Sequence, residues 1–468
     1  MGGAGNCCLS ALQIRYTFMF ACTISHACNF PNPLIMLIAL TLFLKPFASF
    51  APASESSAAF TMVLVSRARK RKGHGERKKM KYCCKQYNFS TWTDAARFIL
   101  ADTTGPSTMF SPCCGLETAM QAWRALSPPG TGYKFGVPFT HSWDTDKTLG
   151  PQILHAHGGN GFAMVGPASG DFTRERLASL PSVEFICSGP PCPPFSRSGV
   201  SGSWGDQRAE AFMQVLLLIK DQILRASSRL AAFVIENVAG MQDKRAGMDQ
   251  SPLEEVLDWL AKELAPAANR WTCWTWQVEA NRLGLPQRRQ RTFICGRNSE
   301  AFHRDYPHIE PRHINIPRIY LTQLLDASAP PQHDLLTDIM RSSLATYITN
   351  VEKELICGEY RDVVAVFDLS RAAGKKRPMQ SRSDGQCMCL TAHNAYLWLQ
   401  GFGEVAKYER FISGAERAKL QGMDVEVSGR VKSTQSCQVR VFGNAMAVPM
   451  IGVVMACLWS EHKPRTIE

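Results

Sequence analysis

The sequence predicts an α/β protein: a doubly wound, mostly parallel sheet with a smaller, irregular domain attached. Three observations carry this. From about Thr108, short β-branched or aromatic runs alternate with amphipathic, helix-length stretches. Several strands end on acidic residues, and one runs into a cysteine fenced by prolines. The alternation stops near residue 298 and resumes at about 406.

At 468 residues the chain has room for two or three domains, and 45% hydrophobic content supports a large core. A formal charge of +12 fits a polyanionic partner, although part of the excess sits in one short run. The 17 cysteines are scattered. Cys7-Cys8, Cys83-Cys84, Cys113-Cys114 and the Cys387-Met388-Cys389 triplet lack the spacing of a zinc site, so no metal is expected. They read as reduced thiols, mostly core, in a reducing compartment.

Residues 1–90 read as a disordered or targeting leader. Residues 34–44 are apolar except for Thr41, which suits a signal-peptide h-region and is short for a bilayer span. With Phe47-Ala48-Ser49-Phe50-Ala51-Pro52 behind it, this stretch resembles the junction of a bipartite plastid presequence. The competing reading is an untranslated leader, with translation starting at Met62. Residues 67–81 are dense in Lys and Arg and read as a nuclear-localisation or nucleic-acid-binding arm, or else as a solvated tail.

Thr108-Met109-Phe110 is the first strand of the sheet, followed by the turn Ser111-Pro112-Cys113-Cys114-Gly115 and a helix over 119–125. Phe139-Thr140-His141-Ser142-Trp143 is the second strand and ends on Asp144; Gly170-Asp171-Phe172 comes later. Val183-Glu184-Phe185-Ile186-Cys187 reads as a buried strand delivering Ser188-Gly189-Pro190-Pro191-Cys192-Pro193-Pro194-Phe195-Ser196. Prolines remove backbone donors and fix φ, so Cys192 projects from a stiff turn at the strand's C-terminal end. Open α/β sheets place their ligands there.

A helix over 207–227 places Phe212, Val215, Leu216, Ile219 and Ile223 at helical spacing. Ala232-Phe233-Val234-Ile235 is the next strand and ends on Glu236-Asn237-Val238. Ser251-Pro252-Leu253-Glu254 supplies an N-cap, a first-turn proline and a reciprocal glutamate for a helix through Leu264. Strands over 271–278 and 291–295 complete the sheet. Residues 298–405 are rich in His, Pro and Arg, with a basic patch at Lys375-Lys376-Arg377, and read as a separate recognition domain. Helices over 414–421 and 449–459 close the chain, with Gly443-Asn444 in a turn before the second.

Carboxylates at strand ends are how such a sheet holds a nucleoside: one accepts from the ribose hydroxyls, another from the adenine amino group. Asp144 and Asp171 sit at such ends and, with the tight turn at Cys114-Gly115, suggest an adenosyl cofactor. Glu236 ends the strand that follows that of Cys192, and a carboxyl buried there favours its protonated form and can donate a proton. A capping carboxylate is the alternative. In Gln287-Arg288-Arg289-Gln290-Arg291, alternation puts Arg289 and Arg291 on one face, where two guanidiniums lower a thiol's pKa and contact phosphate or a base carbonyl. A solvated basic turn is the alternative.

Taken in order, these pieces resemble the C5-cytosine-specific DNA methyltransferase family. Pro190-Pro191-Cys192-Pro193-Pro194-Phe195-Ser196 is similar to its nucleophile motif and Glu236-Asn237-Val238 to its second catalytic motif. Residues 287–291 are similar to its Gln-x-Arg-x-Arg motif, 416–422 to its late helix, and Phe442-Gly443-Asn444-Ala445 through Pro449 to its last motif. The resemblance covers about 105–460. It implies a Rossmann-like class I fold dependent on S-adenosyl-L-methionine, with Cys192, Glu236, Arg289 and Arg291 catalytic. It puts Phe110, Gly115, Asp144, Asp171, Phe172, Pro191 and Asn444 at the cofactor, and Ser196, Lys375, Lys376 and Arg377 at DNA. It divides the chain into a catalytic part over 105–297, a target-recognition part over 298–405 and a return over 406–462.

Pro112 and Cys114 stand where the family has glycines, Asp144 where it has Glu, and Ala445 where it has Ser; these departures bear on cofactor affinity more than on fold. The implied activity is DNA (cytosine-5-)-methyltransferase, acting as a monomer on double-stranded DNA in the nucleus, or in a plastid if the leader is genuine. No stable membrane association of the mature protein is expected. Two readings compete: a transfer-RNA cytosine-5 methyltransferase on the same fold, and a non-catalytic nucleic-acid-binding paralogue. A thiol hydrolase would need a positioned histidine, and His141, His155 and His157 sit in no recognisable motif.

Overall fold

A computed structural model of the chain describes residues 86–101, 103–113, 115–127, 138–143, 149–157, 162–164, 179–197, 203–245, 247–356, 362–370, 380–431 and 434–463. Of its two compact units, Met1–Thr61 and Met62–Glu468, all the described residues belong to the second. The described residues begin ahead of the alternating region. Strand β1 (Tyr87–Asn88) precedes helix α1 (Trp92–Ile99), which Thr91 caps by accepting from the Asp94 amide. Helix α1 buries Ala95, Ala96 and Ile99.

In chain order there follow β2 (Thr108–Pro112), α2 (Thr118–Leu126), β3 (Phe139–Trp143), α3 (Leu149–His157), β4 (Phe162–Met164) and β5 (Phe185–Ser188). Next come α4 (Glu210–Leu224), β6 (Ala232–Val238), α5 (Pro252–Glu263), β7 (Trp271–Glu279), β8 (Gln287–Arg288) and β9 (Gln290–Asn298). The expected capping box at Ser251 and Glu254 starts α5.

The seven-stranded sheet has the order β4-β3-β2-β5-β6-β9-β7. Strands β4 through β6 pair in parallel, whereas β9 runs antiparallel between β6 and β7. From β2 the chain winds outward to β4, then returns to β5 on β2's other side. That reversal is the switch point where doubly wound sheets bind ligands, and the end of β5 opens onto the Cys192 turn. One face of the sheet packs on α1, α2 and the C-terminal helix, the other on α4 and α5. Burial on both faces explains why the strands read as near-continuous apolar runs.

The stretch without a sequence pattern has regular structure of its own. After β10 (Ile314–Asn315), which pairs with β1, comes α6 (Asp338–Ile356). Then come β11 (Val363–Asp368), β12 (Ser381–Arg382), β13 (Cys387–Met388), β14 (Leu397–Phe402) and β15 (Glu409–Phe411). Four of these form an antiparallel sheet, β12-β11-β14-β15. Along β11, Ala365 and Phe367 pack with Leu344, Tyr347 and Val351 of α6, while Val364 and Val366 face a second cluster containing Met388 and Leu420. Strand β13 leaves this sheet to pair in parallel with β8.

The chain closes with α7 (Gly414–Leu420), α8 (Val425–Gly429), α9 (Gln435–Asn444) and α10 (Val448–Trp459). Gly443 and Asn444, expected in a turn, are the last two residues of α9, which Thr434 caps at its start by accepting from the Cys437 amide. The span Gln435–Trp459 is long and apolar enough to cross a membrane, but 94% of its apolar window is buried inside the fold. That makes it core.

Candidate active site

The parallel pairing of β5 with β6 puts Ser188 beside Ile235, so the turn leaving β5 and Glu236 share one edge of the sheet. Cys192 adopts right-handed geometry (φ −91°, ψ −12°) and its carbonyl accepts from the Phe195 amide, opening a single 3-10 turn over Pro193–Phe195. The Phe195 ring is sealed between Trp204 and Phe212, at centroid separations of 4.9 and 5.6 Å. Asn237 Nδ2 donates to the Pro190 carbonyl at 3.3 Å, and Arg245 Nη2 to that of Pro194 at 2.9 Å. Gly240 passes so close that a Cβ there would lie 2.5 Å from the Phe195 carbonyl oxygen. The Cys192 turn is clamped from both sides.

Glu236 is buried, and its Oε1 lies 2.8 Å from Arg291 Nε and 3.6 Å from Arg289 Nη2. Arg289 also donates from Nη2 to the Ala445 carbonyl (2.9 Å) and from Nη1 to that of Leu390 (3.3 Å). Gln421 Nε2 donates to the Phe442 carbonyl at 2.9 Å, and Gln287 Nε2 to that of Leu420 at 3.1 Å. The motifs spread over the last two hundred residues thus meet through backbone carbonyls.

Cys192, Glu236, Arg289 and Arg291 come together here, and charges on the last three all act on the Cys192 thiol. The sequence led us to expect that the arginines lower its pKa. Burial outweighs Arg291 and Arg289, and the thiol is pushed up. The thiol those cations do bring down is that of Cys389: burial raises it, and Arg291, Arg289 and a hydrogen bond from Arg291 more than reverse the effect. Cys389, one of the scattered cysteines that read as mostly core, is half-buried beside the arginines. Nothing local marks it. The β13–β8 pairing brings it in from one hundred residues away.

At the end of β2, Phe110 is buried, and the turn beyond is left-handed at Cys113 (φ 58°), Gly115 (φ 62°) and Glu117 (φ 49°). A Cβ on Gly115 would lie 2.9 Å from Ala445 Cα. Ser188 Oγ donates to the Pro112 carbonyl at 2.8 Å, tying this turn to the Cys192 strand. Ser142 donates to Glu117, and His157 donates through Nε2 to the Leu116 carbonyl at 3.1 Å. Its Nδ1 is left to accept from Arg124.

Pro191 is half-buried and Asn444 exposed. The Ser111 hydroxyl is fully buried with no hydrogen-bond partner among the described residues. This left-handed turn and the orphaned hydroxyl at the switch point fit the amino-acid end of an adenosyl-methionine cofactor. Asp144, Asp171 and Phe172 lie outside the described residues, as do Lys375, Lys376 and Arg377. Ser196 caps the 3-10 turn. Among the described residues no cluster of His, Cys, Asp and Glu could hold a metal.

The fold is that of a class I methyltransferase, with a proline-braced cysteine set at its switch point. The family model for C-5 cytosine-specific DNA methylase matches residues 164–458, most of the chain, and the chain belongs to that family. Curated relatives include the type II methyltransferase M.SsoII of Shigella sonnei, 24% identical over 68% of this chain and 72% of its own length. M.DsaV of Dactylococcopsis salina is 28% identical over 30% of this chain and 36% of its own length. The chain thus spans little more than a third of M.DsaV. Among solved structures, a methyltransferase of Entamoeba histolytica aligns at 14% identity and TM-score 0.48, over 76% of this chain and 99% of its own.

Proposed function

We propose that this chain transfers a methyl group to carbon 5 of a cytosine turned out of duplex DNA, through a covalent bond between Cys192 and carbon 6. What carries the reading is the meeting of a proline-braced thiol, a buried carboxyl and two guanidiniums at the switch point of the sheet. Carbon 5 is a poor nucleophile while the ring stays aromatic. Addition of the Cys192 sulfur at carbon 6 makes carbon 5 enamine-like. Glu236 faces N3 and supplies the proton that keeps full negative charge off the ring. Arg291 and Arg289 hold that carboxyl in place, and the prolines hold the sulfur. S-adenosyl-L-methionine, when bound, supplies an electrophilic methyl group. A base takes the carbon 5 proton, the sulfur leaves as thiolate, and N3 gives its proton back to Glu236.

The target carbon is inaccessible inside a stacked duplex, so the base has to be flipped. The glycine-bearing loop over 196–205, whose residues 198–202 lie outside the described ones, is the segment proposed from its sequence to close over it. Residues 105–297 and 406–462 carry the chemistry in this scheme, 298–405 reads the target, and the basic run at 67–81 directs the protein to the nucleus, or the leader directs it to a plastid.

The test is labelled methyl transfer onto duplex DNA and transfer RNA in parallel, with base-resolution mapping. The expected result is 5-methylcytosine in DNA, lost in Cys192→Ala while cofactor binding persists. Product on transfer RNA alone would move the substrate to RNA. No transfer and no cofactor affinity would leave a nucleic-acid-binding paralogue.

A further inference from the structure

The site holds two thiols. Cys389 follows β13, whose pairing of Met388 with Arg288 sets it alongside Arg289. Its Sγ accepts from Arg291 Nη2 at 3.5 Å and Arg289 Nη1 at 3.8 Å, and donates to the Leu390 carbonyl at 3.6 Å. These are the two guanidiniums that hold Glu236, and the Nε of Arg289, itself buried, has no hydrogen-bond partner among the described residues. One cation pair therefore bridges the proposed proton donor and a sulfur. Among the described residues Cys187, Cys295, Cys387 and Cys457 are fully buried and Cys113 and Cys273 nearly so, whereas Cys389, like Cys192 and Cys437, is half-buried, and of these three it is the one that accepts from both guanidiniums.

We propose that Cys389 is a modification site: the thiol that a peroxide oxidises first, with the oxidation switching methyl transfer off. The geometry suits this, because two cations beside a sulfur favour its thiolate, the form that reacts, over the thiol that donates to Leu390. Its charge state agrees, since the arginines hold Cys389 below the ordinary thiol range while burial pushes Cys192 above it. In the step, the Cys389 sulfur attacks one peroxide oxygen and the O–O bond breaks. Hydroxide leaves and takes up a proton as water, and the sulfur, oxidised by two electrons, becomes a sulfenic acid. Two equivalents of a small thiol return it to the thiol, releasing water and a disulfide. While oxidised, the sulfur has lost its negative charge and gained a hydroxyl between Arg289 and Arg291, so the cation pair loses one anionic partner and its grip on Glu236 is altered.

The activity arm of this inference rests on the methyltransferase reading; the labelling arm does not. The full chain, reduced, is treated with graded hydrogen peroxide. Sulfenic acids are trapped with a 1,3-dicarbonyl reagent and located by peptide mass spectrometry, and methyl transfer is measured at each dose. The expected result is label on Cys389 at doses that leave Cys192 unlabelled, with activity falling in step and returning with dithiothreitol. Cys389→Ser, scored against its own starting activity, should need on the order of tenfold more peroxide for the same loss. Label reaching Cys192 first, or Cys389→Ser losing activity at the parent's dose, overturns the proposal. If no methyl transfer is measurable at all, the order of labelling alone decides it.

Discussion

The turn after β5 and the turn after β2 meet across the switch point and are held by opposite means. The first, around Cys192, uses ordinary backbone geometry, four prolines and the sealed ring of Phe195, with Asn237 and Arg245 pinning its carbonyls. The second, between Cys113 and Glu117, is left-handed at three of its described residues, Cys113, Gly115 and Glu117, two of which carry a Cβ. A left-handed residue that carries a Cβ costs roughly 1–2 kcal/mol, so the second turn stores strain that the first avoids. Rigidity is concentrated on the sulfur, and tolerance is placed at the end proposed for the cofactor. Damage to the first turn should appear in turnover, and changes in the second in cofactor affinity and stability.

The largest expected effect lies on the nucleophile side. Glu236→Gln keeps the shape and removes the acid, so methyl transfer should fall on the order of 10²–10⁴-fold. It also takes from the buried Arg289 and Arg291 the carboxylate they share, leaving only the Cys389 sulfur, and a stability loss of about 3 kcal/mol is expected in urea unfolding. Unchanged turnover in a folded Glu236→Gln protein would remove Glu236 from the chemistry.

On the other side, His157 is buried and its pKa is lowered to about 4, first by burial and then by Arg124. The unfolded chain therefore takes up a proton that the folded one refuses. Its contribution to stability is complete above about pH 6.5 and is lost as pH falls toward 4, roughly 3 kcal/mol in all. Unfolding midpoints across pH 4–7 should show that slope, and His157→Gln should flatten it.

A smaller contrast comes from a matched pair. In Gly240→Ala the added methyl meets the Phe195 carbonyl, forcing the Cys192 turn to shift; turnover should drop about tenfold or more while cofactor affinity holds. Cys113→Gly should relieve about 1 kcal/mol of strain and tighten cofactor binding up to roughly fivefold, as read by calorimetry. If both variants changed the same parameter, the two turns would not be separable.

The parallel sheet was legible in the sequence because its strands are buried on both faces. Cys192, Glu236, Arg289 and Arg291 were legible because each lies within a few residues of an end of a strand. Helix α9 was missed: its polar run Gln435-Ser436-Cys437-Gln438 reads as loop, and its fold comes from packing. Helix α6 was missed as well, because Leu344, Tyr347 and Val351 form only a thin stripe and Ile339 is exposed. Cys389 could not be placed by any local pattern, since its partners are set by strand pairing across one hundred residues. The same distance hid the sign of the Cys192 shift: burial is a property of the assembled turn, whereas the arginines are visible in the chain.

The central claim is that the Cys192 sulfur bonds to carbon 6 of a cytosine. A duplex carrying 5-fluorocytosine, incubated with the full chain and S-adenosyl-L-methionine, cannot lose its carbon 5 substituent and should trap that bond. Peptide mass spectrometry is expected to find the nucleotide on Cys192, with no adduct in Cys192→Ala. Methyl transfer to ordinary duplex DNA without any trapped adduct at Cys192 would contradict it.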